Sequence, residues 1–201
     1  HAFWHTASHI LAQAVKRLYP EAKLAIGPAI DNGFYYDIDC ETSFTPELLT
    51  KIEAEMKKIV KEDLALERFQ MEPQAAIEEM RAKGEIYKVE LIEEHAGKNE
   101  PISFYKQGEF TDVCAGPHIP STGRVKAFKL TACTGAYWRG DQNNKMLQRV
   151  YGTAFPKNAE LEEHLQRVEE AKKRDHNKLG RELEIFTTVD TIGQGLPILL
   201  P

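Results

Sequence analysis

The residues between Phe3 and Leu18 carry the pattern that most restricts how this chain can fold. Apolar side chains recur there at helical spacing and form one stripe, made of Phe3, Ala7, Ile10, Leu11, Ala14, Val15 and Leu18. Such a stripe predicts an amphipathic helix, and Pro20 ends it. His5 and His9 are four residues apart, so they project together, roughly opposite the stripe. We therefore expect an amphipathic helix with its apolar stripe on one side and two imidazoles roughly on the other.

Turn residues and apolar alternation predict an α+β fold for the rest of the chain. The predicted elements are two strands around a turn at residues 31–33, a helix from Thr45, a strand at 64–70, a helix from Pro73 to Gly84, strands between 102 and 155 with a hairpin turn at 141–144, and a polar helix at 157–182. Residues 85–95 fit either a helix or a strand. Because hairpins join antiparallel strands, we expect an antiparallel sheet packed with helices around a cleft and followed by a long helix.

Composition limits the class of protein. Apolar residues make up 42% of the 201 residues and charged residues 28%, which is ordinary for a globular protein with a core. No stretch reaches the ~18 consecutive apolar residues that a membrane span requires, so no membrane is predicted as a partner. Cys40, Cys114 and Cys133 are odd in number and widely spaced, which favours a reduced, cytoplasmic setting. The chain has no initiator methionine and ends on GLPILLP, so we expect a piece of a longer protein.

Positive charge is concentrated in one segment, although the whole chain carries a formal net charge of −5. Residues 101–157 hold eight lysines or arginines, three acids and eight aromatic side chains. Basic residues interleaved with aromatic ones suit a surface that binds phosphates and bases, although a strand-rich core with solvated edges fits the same pattern. The candidate phosphate contacts are Arg124, Lys126, Lys129, Arg139, Lys145 and Arg149.

Asp112, Cys114 and His118 lie close together in the segment TDVCAGPH, where Gly116-Pro117 excludes a regular helix. If this loop faces the first helix, three imidazoles and a thiol converge. Three interpretations stay open: the four groups bind zinc, they carry out acid–base chemistry without a metal, or they are surface histidines beside a small core cysteine. A nucleophilic thiol is a fourth interpretation, but nothing in the sequence marks this cysteine as reactive.

Four motifs in a fixed order give the chain a resemblance to a known family. FWHTASHILAQAV, AIGPAIDNGFYYDID, DVCAGPH and GAYWRGDQNNKMLQRVYGTAF together resemble bacterial threonyl-tRNA synthetases. The tail EEAKKRDHNKLGRELEIFTTVD is similar to the linker helix that leads into their aminoacylation domain. The resemblance implies an editing domain of the threonyl/alanyl second additional type at residues 1–156, a linker helix at 157–183, and the truncated start of the aminoacylation domain at 184–201.

The resemblance also implies a function, which is proofreading. The domain would hydrolyse the ester of serine wrongly attached to tRNA(Thr), within a threonine–tRNA ligase. The positions that match the family's editing residues are His5, His9, Lys88, Asp112, Cys114 and His118, with Tyr36 nearby for substrate binding. Spacing alone would leave Lys88 a solvated surface lysine. The implied partners are mischarged serine and the acceptor end of tRNA(Thr), which the six candidate phosphate contacts would bind.

By the same resemblance this chain holds no cofactor and no metal in its editing site. The full-length enzyme would use ATP, magnesium and a zinc ion of a catalytic core outside this sequence, and would form a homodimer through that core. We therefore expect no aminoacylation by the chain itself. Two alternatives stay open, namely a zinc-dependent deacylase of the alanyl-tRNA type, whose sites share the His-x3-His and Cys-x3-His pattern, and a non-catalytic module that only binds the tRNA acceptor arm.

Overall fold

The structure is a computed structural model that describes residues 1–96, 101–174, 186–188 and 197–199. It divides into two compact units, residues 1–161 and 162–201, which are described separately. The helices are α1 (Ala2–Leu18), α2 (Pro46–Glu62), α3 (Pro73–Ala82), α4 (Ile86–Ala96) and α5 (Asn158–Lys173). The strands are β1 (Lys23–Leu24), β2 (Ala29–Ile30), β3 (Gly33–Asp39), β4 (Leu66–Met71), β5 (Ile102–Gln107), β6 (Phe110–Val113), β7 (Ala127–Tyr137), β8 (Met146–Phe155), β9 (Phe186–Thr188) and β10 (Pro197–Leu199).

Two antiparallel sheets form the framework of the first unit. The larger sheet has the strand order β1-β3-β8-β7, with β2 also paired to β3, and the smaller has the order β4-β5-β6. β7 and β8 form the hairpin that the sequence predicts, with Tyr137 opposite Met146 at its end. The predicted α+β class, with antiparallel sheets packed against helices, is therefore confirmed.

α1 lies in the interior of the first unit rather than on its surface. Every residue from Thr6 to Val15 is buried, and the apolar ones join a core that includes side chains of α2 and the larger sheet. The indole nitrogen of Trp4 donates to the carbonyl of Ala154 on β8 at 2.7 Å. The interpretation of His5 and His9 as surface histidines is wrong for His9, because β6 and the loop after it cover the histidine side of α1. His9 is only 2% exposed as a result.

Residues 85–95 fit either a helix or a strand by pattern, and the structure is helical there from Ile86 onward, as α4. This helix packs against α3, and its Ile92 joins a second apolar cluster with side chains of α3 and β5. Glu85 fixes the start of α4. Its carboxylate accepts a hydrogen bond from the amide of Leu24 at 2.8 Å and forms an ion pair with Lys16 at 2.8 Å. These two contacts hold the start of α4 against β1 and α1. The first turn of α4 therefore lies near the centre of the first unit.

The second unit contains the later part of α5 and the antiparallel pair β9-β10, in which Ile198 lies opposite Thr187. Within the predicted linker helix at 157–183, the structure describes α5 up to Lys173, and the part from residue 175 onward lies outside the described residues. Most of the segment 184–201 lies outside them too. No helix in the described part of the chain is long and apolar enough to cross a membrane.

Candidate active site

Three histidines and one cysteine converge where α1 meets the loop after β6. We call His5, His9, Cys114 and His118 the His–Cys cluster. One nitrogen of each imidazole and the cysteine sulfur all lie within 4.8 Å of one another. The sulfur is 3.3 Å from Nε2 of His5 and 3.2 Å from Nε2 of His118. The loop after β6 therefore faces the first helix, which is the arrangement required for the three imidazoles and the thiol to converge.

The loop turns sharply because of Gly116. Its φ is +81°, in the left-handed region, and a Cβ atom there would lie 2.5 Å from the hydroxyl of Tyr105. The amide of Gly116 also donates to the sulfur of Cys114 at 3.2 Å. The turn directs His118 back toward α1, so the cysteine and the last histidine face the same space.

Thr6 joins this loop to α1. Its hydroxyl donates to the carbonyl of Ala2 at 3.0 Å and accepts from the amide of Ile119 at 3.1 Å. Nδ1 of His118 lies 3.1 Å from the same oxygen. Since the hydroxyl proton is already given to Ala2, this contact favours the tautomer in which Nδ1 carries the proton. Nε2 of His118 then has a free lone pair that points at the thiol of Cys114.

A buried ion pair lies beside the cluster. Nζ of Lys88 is 2.6 Å from Oδ1 of Asp112, and the hydroxyl of Tyr36 donates to Oδ2 of the same carboxylate at 2.5 Å. Lys88 also donates to the Tyr36 hydroxyl at 3.0 Å, and Nε2 of His9 is 3.8 Å from Oδ2. Lys88 is only 3% exposed, so the solvated lysine expected from spacing alone is wrong. Tertiary packing brings it to a carboxylate of β6.

Burial sets the protonation states of the cluster. It lowers the pKa of His5, and it lowers the pKa of His9 well below the usual value, with the nearby His5 and Lys88 adding to the effect. Burial, followed by His9 and His5, lowers the pKa of His118 to about 2. Burial also raises the pKa of the Cys114 thiol to about 11. In the absence of a metal the imidazoles are therefore neutral bases near pH ~7, and the cysteine is a thiol rather than a thiolate nucleophile.

The donor set of the cluster can be compared with a zinc site. Tetrahedral zinc with bonds of ~2.0–2.3 Å to nitrogen and sulfur places neighbouring ligand atoms roughly 3.3–3.7 Å apart. The two distances from Cys114 are close to that range, whereas the 4.8 Å limit for the whole set is wider. Nδ1 of His5 and Nδ1 of His9 are buried without a hydrogen-bond partner in the described structure. The residues therefore fit zinc in type, and the four donors of the His–Cys cluster would hold it.

A cavity of about 300 Å³ opens onto these groups. Its lining includes His5, His9, Lys88, Asp112 and Cys114, together with Gly27 and Pro28. A Cβ atom on Gly27 would lie 2.1 Å from the ring of Tyr36, so only glycine lets this backbone lie against that ring. The cavity thus presents neutral imidazoles, a thiol and an ammonium group to one small space.

The six candidate phosphate-binding side chains differ in whether a carboxylate already pairs with their charge. Lys129 pairs with Glu53, Arg139 with Glu94, Lys145 with Asp39, and Arg149 forms two hydrogen bonds with Asp37. Arg124 and Lys126 are exposed and have no ion pair within the described residues. Four of the six cations are therefore neutralised by carboxylates from other segments.

Sequence reasoning missed the residues that hold the site together. These residues are Thr6, Gly27, Glu85 and Tyr105; Thr6 and Gly27 lie within the quoted motifs, but nothing in the sequence marked any of the four as part of the site. Only the Gly-Pro pair at residues 27–28 is a signal, since glycine before proline often marks an unusual backbone path.

The segment that carries three of the site residues matches a known family of domains. Residues 102–151 match the family model of the threonyl and alanyl tRNA synthetase second additional domain. This range includes Asp112, Cys114 and His118, whereas α1 and Lys88 lie outside it. Residues 102–151 are therefore similar to a domain that threonyl- and alanyl-tRNA synthetases carry in addition to their other domains.

Over its whole length the chain is similar to threonine–tRNA ligases. It is 64% identical to the Clostridium botulinum enzyme over 200 residues and 64% identical to the Clostridioides difficile enzyme over 199 residues. It is also 64% identical to the Clostridium tetani enzyme over 197 residues. These matches cover 98–100% of this chain but only 30–31% of the relatives, so the chain spans less than a third of the length of the curated relatives it matches. The predicted resemblance to threonyl-tRNA synthetases is confirmed.

Proposed function

We propose that residues 1–156 form an editing domain that hydrolyses seryl-tRNA(Thr), within a longer enzyme that uses ATP to attach threonine to its tRNA. One observation carries the proposal. In a chain 64% identical to threonine–tRNA ligases, neutral imidazoles, a thiol and a buried lysine line one cavity. The longer enzyme would supply magnesium, a catalytic-core zinc and a homodimer interface from regions outside this sequence.

The chemical need for such a site follows from the two amino acids. Serine differs from threonine by one methyl group, and a missing methyl changes binding by only ~1–3 kcal/mol, or roughly 10–200-fold. A pocket that forms threonyl esters therefore also forms some seryl esters. A second site that hydrolyses the smaller product corrects this error.

The reaction is an ester hydrolysis. Water adds its oxygen to the carbonyl carbon of the seryl ester, the bond from that carbon to the ribose oxygen breaks, and the ribose oxygen takes a proton while serine leaves. His5 would move the proton near the ribose hydroxyl, because its imidazole lines the cavity and is held neutral by burial. Cys114 and His118 would orient the water or the seryl group, and His9 would hold its neighbours in place.

Lys88 and Asp112 would act as a unit. The ammonium of Lys88 would stabilise the negative charge that develops on the carbonyl oxygen. Both oxygens of Asp112 are already engaged, one by Lys88 and the other by Tyr36. The distances therefore favour Asp112 as the group that positions Lys88 and Tyr36, with a lesser role in orienting the seryl amine.

Release of the amino acid from charged tRNA(Thr) tests the proposal. With labelled serine or threonine on the tRNA, the chain should release serine and leave threonine largely attached. A pocket that just holds serine excludes an added methyl by steric overlap, which is harsher than the loss of one contact. Equal release of both amino acids would contradict proofreading, and binding without any release would favour a module that only binds the acceptor arm.

A zinc-dependent deacylase is the second candidate, because the His–Cys cluster offers four zinc donors. We expect no zinc in the editing site, since the motifs around the cluster resemble the threonyl rather than the alanyl type. Elemental analysis of dialysed protein should give well under one zinc per chain. Stoichiometric zinc, with activity lost on chelation and restored by zinc, would establish the second candidate instead.

The cellular setting that we propose is the cytoplasm, where tRNA is charged. Cys40, Cys114 and Cys133 all have free thiols, which suits a reducing compartment.

A further inference from the structure

A concave surface at the end of α2 is lined by Lys57, Lys61 and Lys126, and we call it the lysine cavity. Its volume is about 510 Å³, and the other lining residues are Val60, Gly123, Phe128 and Asn158. Lys57 and Lys61 are one turn apart on α2, so their side chains leave the same face of the helix. Asn158 is the first residue of α5, where amide groups lack partners within the helix.

The three lysines carry charge that no carboxylate neutralises. All are exposed, and within the part of the chain that the structure describes none has a carboxylate oxygen within 4.0 Å. The exposed Arg124 beside the cavity is likewise without an ion pair there. The two acids that follow Lys61 are engaged elsewhere: Glu62 forms an ion pair with Arg17 at 2.7 Å, and Asp63 accepts the amide of Gly123 at 3.0 Å. The surface is therefore strongly positive at short range, in a chain whose net charge is −5.

The β7-β8 hairpin, which is richer in cations by sequence, offers much less free charge. Its basic side chains already bind carboxylates, for example Lys145 with Asp39 at 2.8 Å. A phosphate that bound there would have to displace a carboxylate from its cation, or approach that carboxylate against electrostatic repulsion. Binding in the lysine cavity requires no such exchange.

The segment that carries Lys126 is also held firmly against α2. Thr122 is fully buried, and its hydroxyl accepts from the amide of Leu64 at 2.9 Å and donates to the carbonyl of Ile59 at 3.0 Å. The backbone on both sides of the cavity is thus fixed before any ligand arrives. Such preorganisation lowers the entropic cost of binding.

We propose that the lysine cavity binds the phosphate backbone of RNA and that it, rather than the β7-β8 hairpin, supplies most of the salt-dependent affinity for tRNA. The inference rests on the proposed function only in taking tRNA as the RNA. The chemistry that recognises the ligand is the ammonium–phosphate contact, which carries no base specificity.

Salt-dependent binding of an uncharged tRNA transcript tests this surface without requiring catalysis. The affinity is measured over a range of KCl concentrations for the chain and for the triple variant Lys57→Ala, Lys61→Ala and Lys126→Ala. Each lost phosphate contact lowers the slope of log K against log [salt] by roughly 0.7–0.9, so the triple variant should lose about 2 to 3 units of slope. A matched control removes three other exposed lysines that lack ion pairs in the described structure: Lys51, Lys106 and Lys172. The control should lose less than about one unit.

Each outcome separates the two proposals. If the triple variant loses slope and the control does not, the lysine cavity is supported even if the chain fails to hydrolyse seryl-tRNA. If the chain hydrolyses seryl-tRNA but the triple variant keeps its slope, the inference is wrong and the proposed function stands. Tighter binding of a poly-glutamate peptide than of tRNA, lost in the triple variant, would assign the surface to an acidic protein and overturn the inference.

Discussion

Replacement of Lys88 by alanine should destabilise the first unit strongly, because it leaves the carboxylate of Asp112 buried without its cation. Breaking a buried ion pair by removing one partner costs about 3–5 kcal/mol. The hydroxyl of Tyr36 still donates to Oδ2 of Asp112, which places the loss near the lower end, at about 3 kcal/mol. For a domain of this size that corresponds to roughly 6–12 °C in Tm.

Urea unfolding followed by tryptophan fluorescence measures this loss, since Trp4 and Trp138 lie in the first unit. The double variant Lys88→Met with Asp112→Asn should recover most of the stability, because no buried charge remains. Lys83→Ala is the matched control, since Lys83 is exposed and its pair with Glu79 on α3 is worth less than about 1 kcal/mol. A loss below about 1 kcal/mol for Lys88→Ala, or no recovery in the double variant, would refute the buried-pair reasoning.

Three further predictions concern the His–Cys cluster and the wall of the cavity beside it. His5→Ala should reduce the release of labelled serine from seryl-tRNA(Thr) by ~100-fold or more while Tm changes little, and full activity would remove His5 from the mechanism. Burial lowers the pKa of His5 and lowers the pKa of His118 to about 2. Activity lost through protonation of these imidazoles should therefore begin to fall only below the pH at which an ordinary histidine titrates. A pH–rate profile that falls by half near pH ~6.5 would contradict this. Gly27→Ala should destabilise the unit by ~1–3 kcal/mol in urea unfolding, because the added Cβ would lie 2.1 Å from the ring of Tyr36, and an unchanged midpoint would show that the backbone can move away.

The local sequence pattern was sufficient to predict helices and strands, but it did not show which cations are paired with carboxylates. The stripe of α1, the Thr45-Pro46 helix start and the β7-β8 hairpin depend on neighbours in sequence, so they were predictable. The paired cations were not, because their carboxylates come from distant segments: Lys129 meets Glu53 of α2, and Arg149 meets Asp37 of β3. Counting charges within a window of sequence cannot detect such partners.

The candidate site shows the same division. The histidines and the cysteine could be predicted as site residues from residue type and spacing alone, because imidazole and thiol groups so close together are uncommon on a surface without a function. Lys88 could be named only by resemblance, since its burial depends on α4 meeting β6 and on a carboxylate that lies 24 residues further along the chain. Thr6 and Gly27 escaped notice because their importance is entirely in what they contact.

The distance along the chain between α1 and its partners determines when the site can exist during synthesis. Cys114 follows His5 by 109 residues, and Ala154 follows Trp4 by 150. At a translation rate of ~5–20 residues per second, Trp4 is made roughly 8–30 s before Ala154, so this contact between α1 and β8 is absent during that time. The His–Cys cluster likewise cannot form until His118 has been made, 113 residues after His5, so the candidate site exists only late in the synthesis of the first unit.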